Sequence, residues 1–431
     1  MYTVAPRIEV PDSLVAEVRE LFESNRPLQA LATTANHPLE RWPWGAAAVL
    51  AGRVIAWLGG DRAAWRLHIL NYRHAPWHDE AHLYHLFGLQ ASRGVLASLR
   101  ATDRLLRDHT FTDDPTVRFD VLAQRALLLS VFRDFPLAMA TIDEAIASVP
   151  DRPWCPAIKA AILASADRRD EAIEWSDRAL ALRPGYRLAI LHKADALIQL
   201  SRSNEAVAIL EKELASTEVA AYAGLLQSIY SERDDTAAAL GALDEWRQRQ
   251  PLLDKRGIGF YHARRSDLLL RHGDFIGANE AASQADSHYH MTVAARLAEP
   301  GAADRRRVRL PVPFVRQHHI TCAPATLASL AAFWNRPADH LEIAQKICYD
   351  GTSNFHQRSW AVQNGFAVAE FTVTYAVAKA IIDEGLPFAL ATVEPTSSHI
   401  QVLIGYDDRN GVVIMRDPTF CLLYTSPSPR D

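Results

Sequence analysis

Residues 153–184, PWCPAIKAAILASADRRDEAIEWSDRALALRP, read as two amphipathic helices closed by a proline, and the pattern recurs on both sides. Ala126, Ala160 and Ala194 are spaced by 34, as are Ala138, Ala172 and Ala206, while Ala145 matches Ala179 and Pro150 matches Pro184. A constant spacing of this length is that of a helical hairpin repeat. Small residues at fixed positions let paired helices approach closely. Proline ends the second helix because it lacks the N–H that would extend the hydrogen-bond ladder. The units run Phe119 to Pro150, Pro153 to Pro184, Tyr186 to Leu214, Ala220 to Pro251 and Tyr261 to Ser287, the last two irregular.

This array, taken as residues 119–298, resembles the tetratricopeptide family. The resemblance implies a concave groove for extended or helical peptides, and so a protein partner. Upstream, residues 1–118 read as degenerate repeats or a cap, with amphipathic helices over Asp12 to Asn25, Ala46 to Leu58, Arg62 to Tyr72, Asp79 to Leu99 and Ala101 to Asp108. Within them, His78, His82 and His85 share one helical face, but the glutamate stands one position away from where a zinc-peptidase base is needed. A solvated or partner-facing stripe is expected there, with no metal and no cofactor.

Composition sets the class. Hydrophobic residues at 49% and charged residues at 23% are ordinary for a folded soluble protein, and 431 residues exceed what one core organises. A net charge of -5 leaves no basic footprint for nucleic acid. The apolar run from Trp42 to Gly60 carries Arg53 and is rich in Ala and Gly, so buried repeat helices are expected and no membrane span. Four dispersed cysteines and no secretory pattern point to the cytoplasm.

The helical period stops at Glu299, and residues 299–311 read as a linker whose arginines, Arg305 to Arg307, are solvated. Beyond it, helices over Thr321 to Trp334, Ala338 to Ile347, Asn354 to Asn364 and Tyr375 to Glu384 precede strands over Pro387 to Val393, Ile400 to Tyr406 and Val412 to Arg416. Gly365 and Gly385 suit left-handed helix caps, and Asp407 to Gly411 suits a hairpin turn. Helices followed by antiparallel strands make an α+β domain.

The chemistry centres on Val312-Pro-Phe-Val-Arg-Gln317-His-His-Ile-Thr-Cys322-Ala-Pro-Ala-Thr-Leu-Ala-Ser-Leu330. Thr321 is a fair N-cap and Pro324 is tolerated in a first turn, which puts Cys322 at a helix N-terminus, where the partial positive charge favours thiolate. His399 begins one strand and Asp417 ends the next, so a hairpin between them sets the two side by side. Cys155 lies inside the repeats and Cys348 closes a helix, and both read as packed core thiols. His318, His319, His340 and His356 are the other imidazoles of the domain.

The block from Val312 to Pro418 resembles the family-thirty-nine-type cysteine peptidases of the papain clan, known from double-glycine leader processing. Gln317, Cys322, His399 and Asp417 match that family's residues in type and order. The resemblance implies Cys322 as nucleophile, His399 as base, Asp417 as its orienting group and Gln317 as an oxyanion donor. Gln317 precedes Cys322 by one residue fewer than is common in exporter-linked members. The expectation is therefore a multidomain chain, an all-α tetratricopeptide-like helical solenoid followed by an α+β papain-like cysteine peptidase domain over 312–420. It would act as a thiol-dependent hydrolase of peptide or protein substrates, with the repeats binding substrate or partner. The rivals are a repeat scaffold whose papain-like domain binds without cutting, and a cysteine-dependent acyl or amide transferase. Residues 421–431 read as a non-native or disordered tail; a native chain continuing past Phe420 would carry the last strands, and this chain would then be inactive.

Overall fold

A computed structural model describes residues 6–349, 351–393, 398–419 and 423–425. The chain forms two compact units, Met1–Ile229 with Gly241–Ile258 and Tyr230–Leu240 with Gly259–Asp431.

Six helices open the chain: α1 (Asp12–Glu23), α2 (Pro27–Thr33), α3 (Ala46–Trp57), α4 (Asp61–His74), α5 (Asp79–Arg93) and α6 (Val95–Asp108). Three hairpins follow, α7 (Val117–Val131) with α8 (Phe135–Ser148), α9 (Trp154–Ser165) with α10 (Arg169–Leu182), and α11 (Arg187–Gln199) with α12 (Ser203–Ser216). After them come α13 (Ala220–Glu232), α14 (Thr236–Gln248), α15 (Lys255–His272), α16 (Phe275–Ser283) and α17 (His288–Leu297).

The repeat is written into the backbone as well as the side chains. Arg133, Asp167, Ser201 and Asp234 have φ of 61, 62, 60 and 59°, one left-handed residue per hairpin turn, at intervals of 34, 34 and 33 residues. Each ends the first helix of its hairpin with the same two bonds, as where Arg202 N–H reaches Leu197 O at 2.8 Å and Ser201 N–H reaches Ile198 O at 3.0 Å. The alanines that carry the spacing, Ala126, Ala160, Ala194, Ala138, Ala172, Ala206, Ala145 and Ala179, are all fully buried. Any larger side chain there would force the helices apart.

In the first unit the opening helices tie onto the edge formed by the segments that enter α11, α13 and α15. Arg183 Nη1 reaches Glu23 Oε2 at 2.6 Å, Asn25 Nδ2 donates to Gly185 O at 2.8 Å, Leu28 N–H to Glu218 Oε2 at 2.7 Å, and Leu252 N–H to Leu58 O at 3.0 Å. The expected helix Asp79 to Leu99 is two helices, because Gly94 turns the chain at φ 84° and serves as C-cap of α5 and N-cap of α6. The expected solvated histidine stripe is also corrected. His78 Nδ1 lies 2.5 Å from Asp113, buried His82 bonds Pro76 O at 2.8 Å, and the His85 ring stacks 4.1 Å from that of Tyr72. In the apolar run, Arg53 pairs with Glu23 at 3.0 Å. Among the described residues no helix is long and apolar enough to cross a membrane.

The second unit carries α18 (Cys322–Phe333), α19 (His340–Ile347), α20 (Asn354–Gln363) and α21 (Tyr375–Asp383) around an antiparallel sheet. Its strands are β1 (Arg307–Arg309), β2 (Phe388–Val393), β3 (Ser398–Asp407), β4 (Val412–Arg416) and β5 (Leu423–Thr425). β3 pairs with β1 and β2 as well as with β4, and β5 pairs with β4. Val402 and Ile404 of β3 pack with Leu330 and Phe333 of α18, while Leu403 and Tyr406 pack with Ala378 and Ile382 of α21. The sheet is thus covered by a helix on each face.

Three expectations change here. The linker read over 299–311 ends in a strand, since Arg307, Val308 and Arg309 pair with Asp407, Tyr406 and Gly405. Its arginines are not simply solvated. Arg305 pairs with Glu299, Arg306 with Asp383 and Arg307 with Asp407, and Arg309 makes two bonds to Asp234 at 3.0 and 2.7 Å. Alternation of arginine with valine suits a strand with charged residues on one side, a pattern hidden in so short a run. Finally, Leu423–Thr425 of the expected tail pairs with β4, whereas residues 421, 422 and 426–431 lie outside the described residues.

Candidate active site

Cys322 is the first residue of α18, half-buried, with Pro324 in the same first turn. Thr321 occupies the N-cap position, yet its hydroxyl does not cap the helix as expected. It accepts instead from His318 N–H at 2.8 Å and closes the turn that leads into Cys322. Ile320, between them, sits at φ 48°, a left-handed conformation that a β-branched residue adopts only when its surroundings impose it.

Thr326, one helical turn beyond Cys322, donates its hydroxyl to Ile400 O at 3.1 Å and fixes α18 against β3 beside His399. The β3–β4 register sets Val402 opposite Arg416, which brings Asp417 alongside His399. His399 Nε2 lies 2.9 Å from Asp417 Oδ2, and Asp417 Oδ1 accepts from Thr419 N–H at 2.6 Å. With Nε2 engaged, Nδ1 is the ring nitrogen left to face Cys322, whose charged form is favoured by His399 and by the N–H groups of Ile400 and Ala323.

The electrostatics follow from these bonds. Burial alone would raise the Cys322 pKa, but the His399 bond, the Ile400 and Ala323 N–H groups and the imidazolium charge outweigh it and hold the thiol below its ordinary value. The bonds to Asp417 and Cys322 push His399 up to about 10. Asp417, only 3% exposed, is lowered despite its burial by His399 and Thr419. The two shifts favour each other, since a lowered thiol and a raised imidazole both move the pair towards thiolate and imidazolium.

Gln317 lies in the loop before α18, its N–H held by Pro418 O at 3.0 Å next to Asp417. Its carboxamide Oε1 is buried without a hydrogen-bond partner. The structure thus bonds His399 to Asp417, sets Cys322 close enough for His399 to act on its thiol, and brings Gln317 to the residue after Asp417. The other imidazoles are placed elsewhere: the His318 ring meets His340 edge-on at 5.0 Å, His356 Nδ1 faces Ser353 Oγ at 3.1 Å, and His319 is exposed.

Cys155 is buried and its thiol is pushed up to about 12 by that burial and by Asp120. Cys348 is not the packed core thiol expected. As the C-cap of α19 it is half-buried and donates to Ile320 O at 3.4 Å. Sequence reading missed the N–H of Ile400 and the Thr326 clamp; the four-residue step from Cys322 to Thr326 was the available signal. Among the described residues, no group of three or more His, Cys, Asp or Glu could hold a metal ion.

Residues 309–422 match the sequence model of the Peptidase_C39 like family. No curated protein matches the chain. Among solved structures, similarity is found to PilW, described as a widely conserved type IV pilus biogenesis factor, at 15% identity over 49% of this chain and 93% of that one, with a TM-score of 0.38. The Cut9–Hcn1 hetero-tetramer of APC/C is similar at 14% identity over 68% of this chain and 58% of that one, TM-score 0.46. A tetratricopeptide repeat protein from Parabacteroides merdae follows at 12%, covering 51% and 84%, TM-score 0.33.

Proposed function

We propose that the C-terminal domain hydrolyses a peptide or related amide bond through Cys322, with the helical repeats supplying a binding surface for substrate or a protein partner. The Cys322 thiolate attacks the scissile carbonyl carbon. His399 gives its Nδ1 proton to the leaving amine nitrogen as the C–N bond breaks, which leaves a thioester on Cys322. Water, losing a proton to His399, then attacks that thioester and releases the acid and the thiol. Asp417 keeps Nε2 protonated and the ring aimed at the sulfur. The first-turn N–H of Cys322 has no carbonyl partner within its own helix, and together with the Gln317 carboxamide it receives the oxyanion. The observation that supports this reading most is the bond from His399 to buried Asp417 at 2.9 Å, beside Cys322 at the start of α18.

The test is mass spectrometry of a peptide library incubated with the wild-type chain and with Cys322→Ala. New termini are expected from the wild type alone; an identical peptide profile from both contradicts the reading. On any cleaved peptide, Gln317→Ala should raise the barrier by about 2.7–4 kcal/mol, the range for a lost oxyanion donor, with thiol alkylation unchanged. Full turnover by Gln317→Ala would remove Gln317 from the oxyanion site.

A further inference from the structure

The first unit contains a cavity of about 810 Å³ between α1, α3, α4 and α5 and the starts of α7, α9 and α11. That is the size of a pocket for a small molecule or a few peptide residues. Two of its rings rest on glycines: a side chain on Gly52 would collide with the His68 ring, and one on Gly88 with the Trp65 ring. The lining combines aromatic side chains, Trp57, Trp65, Tyr84, Phe87, Trp154 and Tyr186, with a larger set of charged ones.

The charged groups on its wall are unevenly matched. Glu23 is shared by Arg53 at 3.0 Å and Arg183 at 2.6 Å, and Arg152 reaches Asp120 Oδ2 at 2.5 Å. Arg187 differs. Its guanidinium lies over the rings of Phe22 and Trp57 at 4.3 and 3.9 Å and donates to Phe22 O and Asn25 Oδ1 at 3.1 and 3.4 Å. Among the described residues it makes no ion pair. Burial and the neighbouring Arg53 lower its pKa to about 10 against the opposing pull of Glu23.

Across the cavity wall, Asp120 is 5% exposed and its Oδ1 has no hydrogen-bond partner. Trp154 Nε1 and His68 Nδ1 are likewise buried without partners. The Tyr186 phenol feels Arg187, Arg183, Arg53 and Asp120 together, so these groups share one small space. Buried polar groups are normally satisfied, and several left open around one cavity mark a place where a ligand completes them.

We propose that this cavity binds an aromatic amino acid, free or as the last residue of a peptide, with its carboxylate on Arg187 and its nitrogen on Asp120 Oδ1. The aromatic side chains of the wall take the ring, and the guanidinium gains a carboxylate at ion-pair distance, which it does not have among the described residues. Recognition here uses none of the groups around Cys322.

The test is calorimetric titration of the full chain carrying Cys322→Ala, so that no peptide is cut. The probes are L-phenylalanine, N-acetyl-L-phenylalanine and its amide, and a tetrapeptide ending in phenylalanine as free acid and as amide. Each acid should bind about tenfold to a hundredfold more tightly than its amide, the range for a charge-assisted bond. Arg187→Gln should erase that difference, with the fold checked by circular dichroism. The acid-to-amide ratio on the chain with Arg187 intact stands whether or not that variant folds. A tetrapeptide acid tighter than the amino acid identifies a chain terminus as ligand, and the reverse identifies the free amino acid. Equal binding of acids and amides, or no acid with Kd below about 1 mM, overturns the proposal.

Discussion

Cys322→Ala and His399→Ala should each take turnover of a cleaved peptide to near background, and the double variant should be hardly worse than either alone. On the proposed mechanism the sulfur and the imidazole act as one unit, since His399 lowers the thiol and Asp417 and Cys322 raise the imidazole. Removing either member removes the ion pair, so the second loss has nothing left to subtract. Asp417→Asn should be milder, since an amide oxygen can still hold the Nε2 proton, as the asparagine of papain relatives does. Measured kcat/KM of the four variants decides this. Single variants whose losses multiply in the double variant would show that the two residues act separately.

Gly405→Ala should be among the most damaging single-methyl additions, costing about 3 kcal/mol of stability. Gly405 sits where the β3–β4 register shifts and faces Arg309 of β1. A methyl group there would collide with the Val308 carbonyl oxygen and lie 3.1 Å from Arg309 Cα, backbone atoms that cannot rotate away. The strand would have to leave the sheet. With it would move Leu310, whose N–H bonds Ile404 O at 2.8 Å, and the segment that runs on to Gln317. Urea unfolding should show a lower midpoint; a midpoint equal to the wild type would mean that β1 contributes little to the sheet.

The repeats were legible because their period is carried by alanines that the fold buries completely. Spacing therefore read out packing directly over α7 to α12, where those alanines stand, and less regularly beyond. The break at Gly94 was not legible, since an isolated glycine in a helical pattern is as compatible with continuation as with a turn. Helix α2 was missed because it is a single short segment between two prolines. The chemistry of the C-terminal domain was legible in residue type and order, and the hairpin between His399 and Asp417 followed from strand geometry. What escaped was set by tertiary contact. Thr321 turns its hydroxyl to His318, Cys348 leans on Ile320, and the sulfur of Cys322 meets the N–H of Ile400, a residue 78 positions later in the chain. The cavity of the first unit escaped for the same reason, since its walls come from α1 and from helices that begin more than a hundred residues later.

The most direct measurement of the central claim, an activated thiolate at Cys322 paired with His399, is the rate of iodoacetamide alkylation of each cysteine as a function of pH, read by mass spectrometry. A thiol with a lowered pKa is already ionised in mildly acid solution, and its imidazolium partner persists until the pH approaches about 10. Cys322 should therefore be labelled rapidly at mildly acid pH, well ahead of Cys348 and of buried Cys155, and His399→Ala should shift its labelling to alkaline pH. Labelling of Cys322 no faster than Cys348, and rising only as the pH nears the ordinary thiol value, would contradict the account.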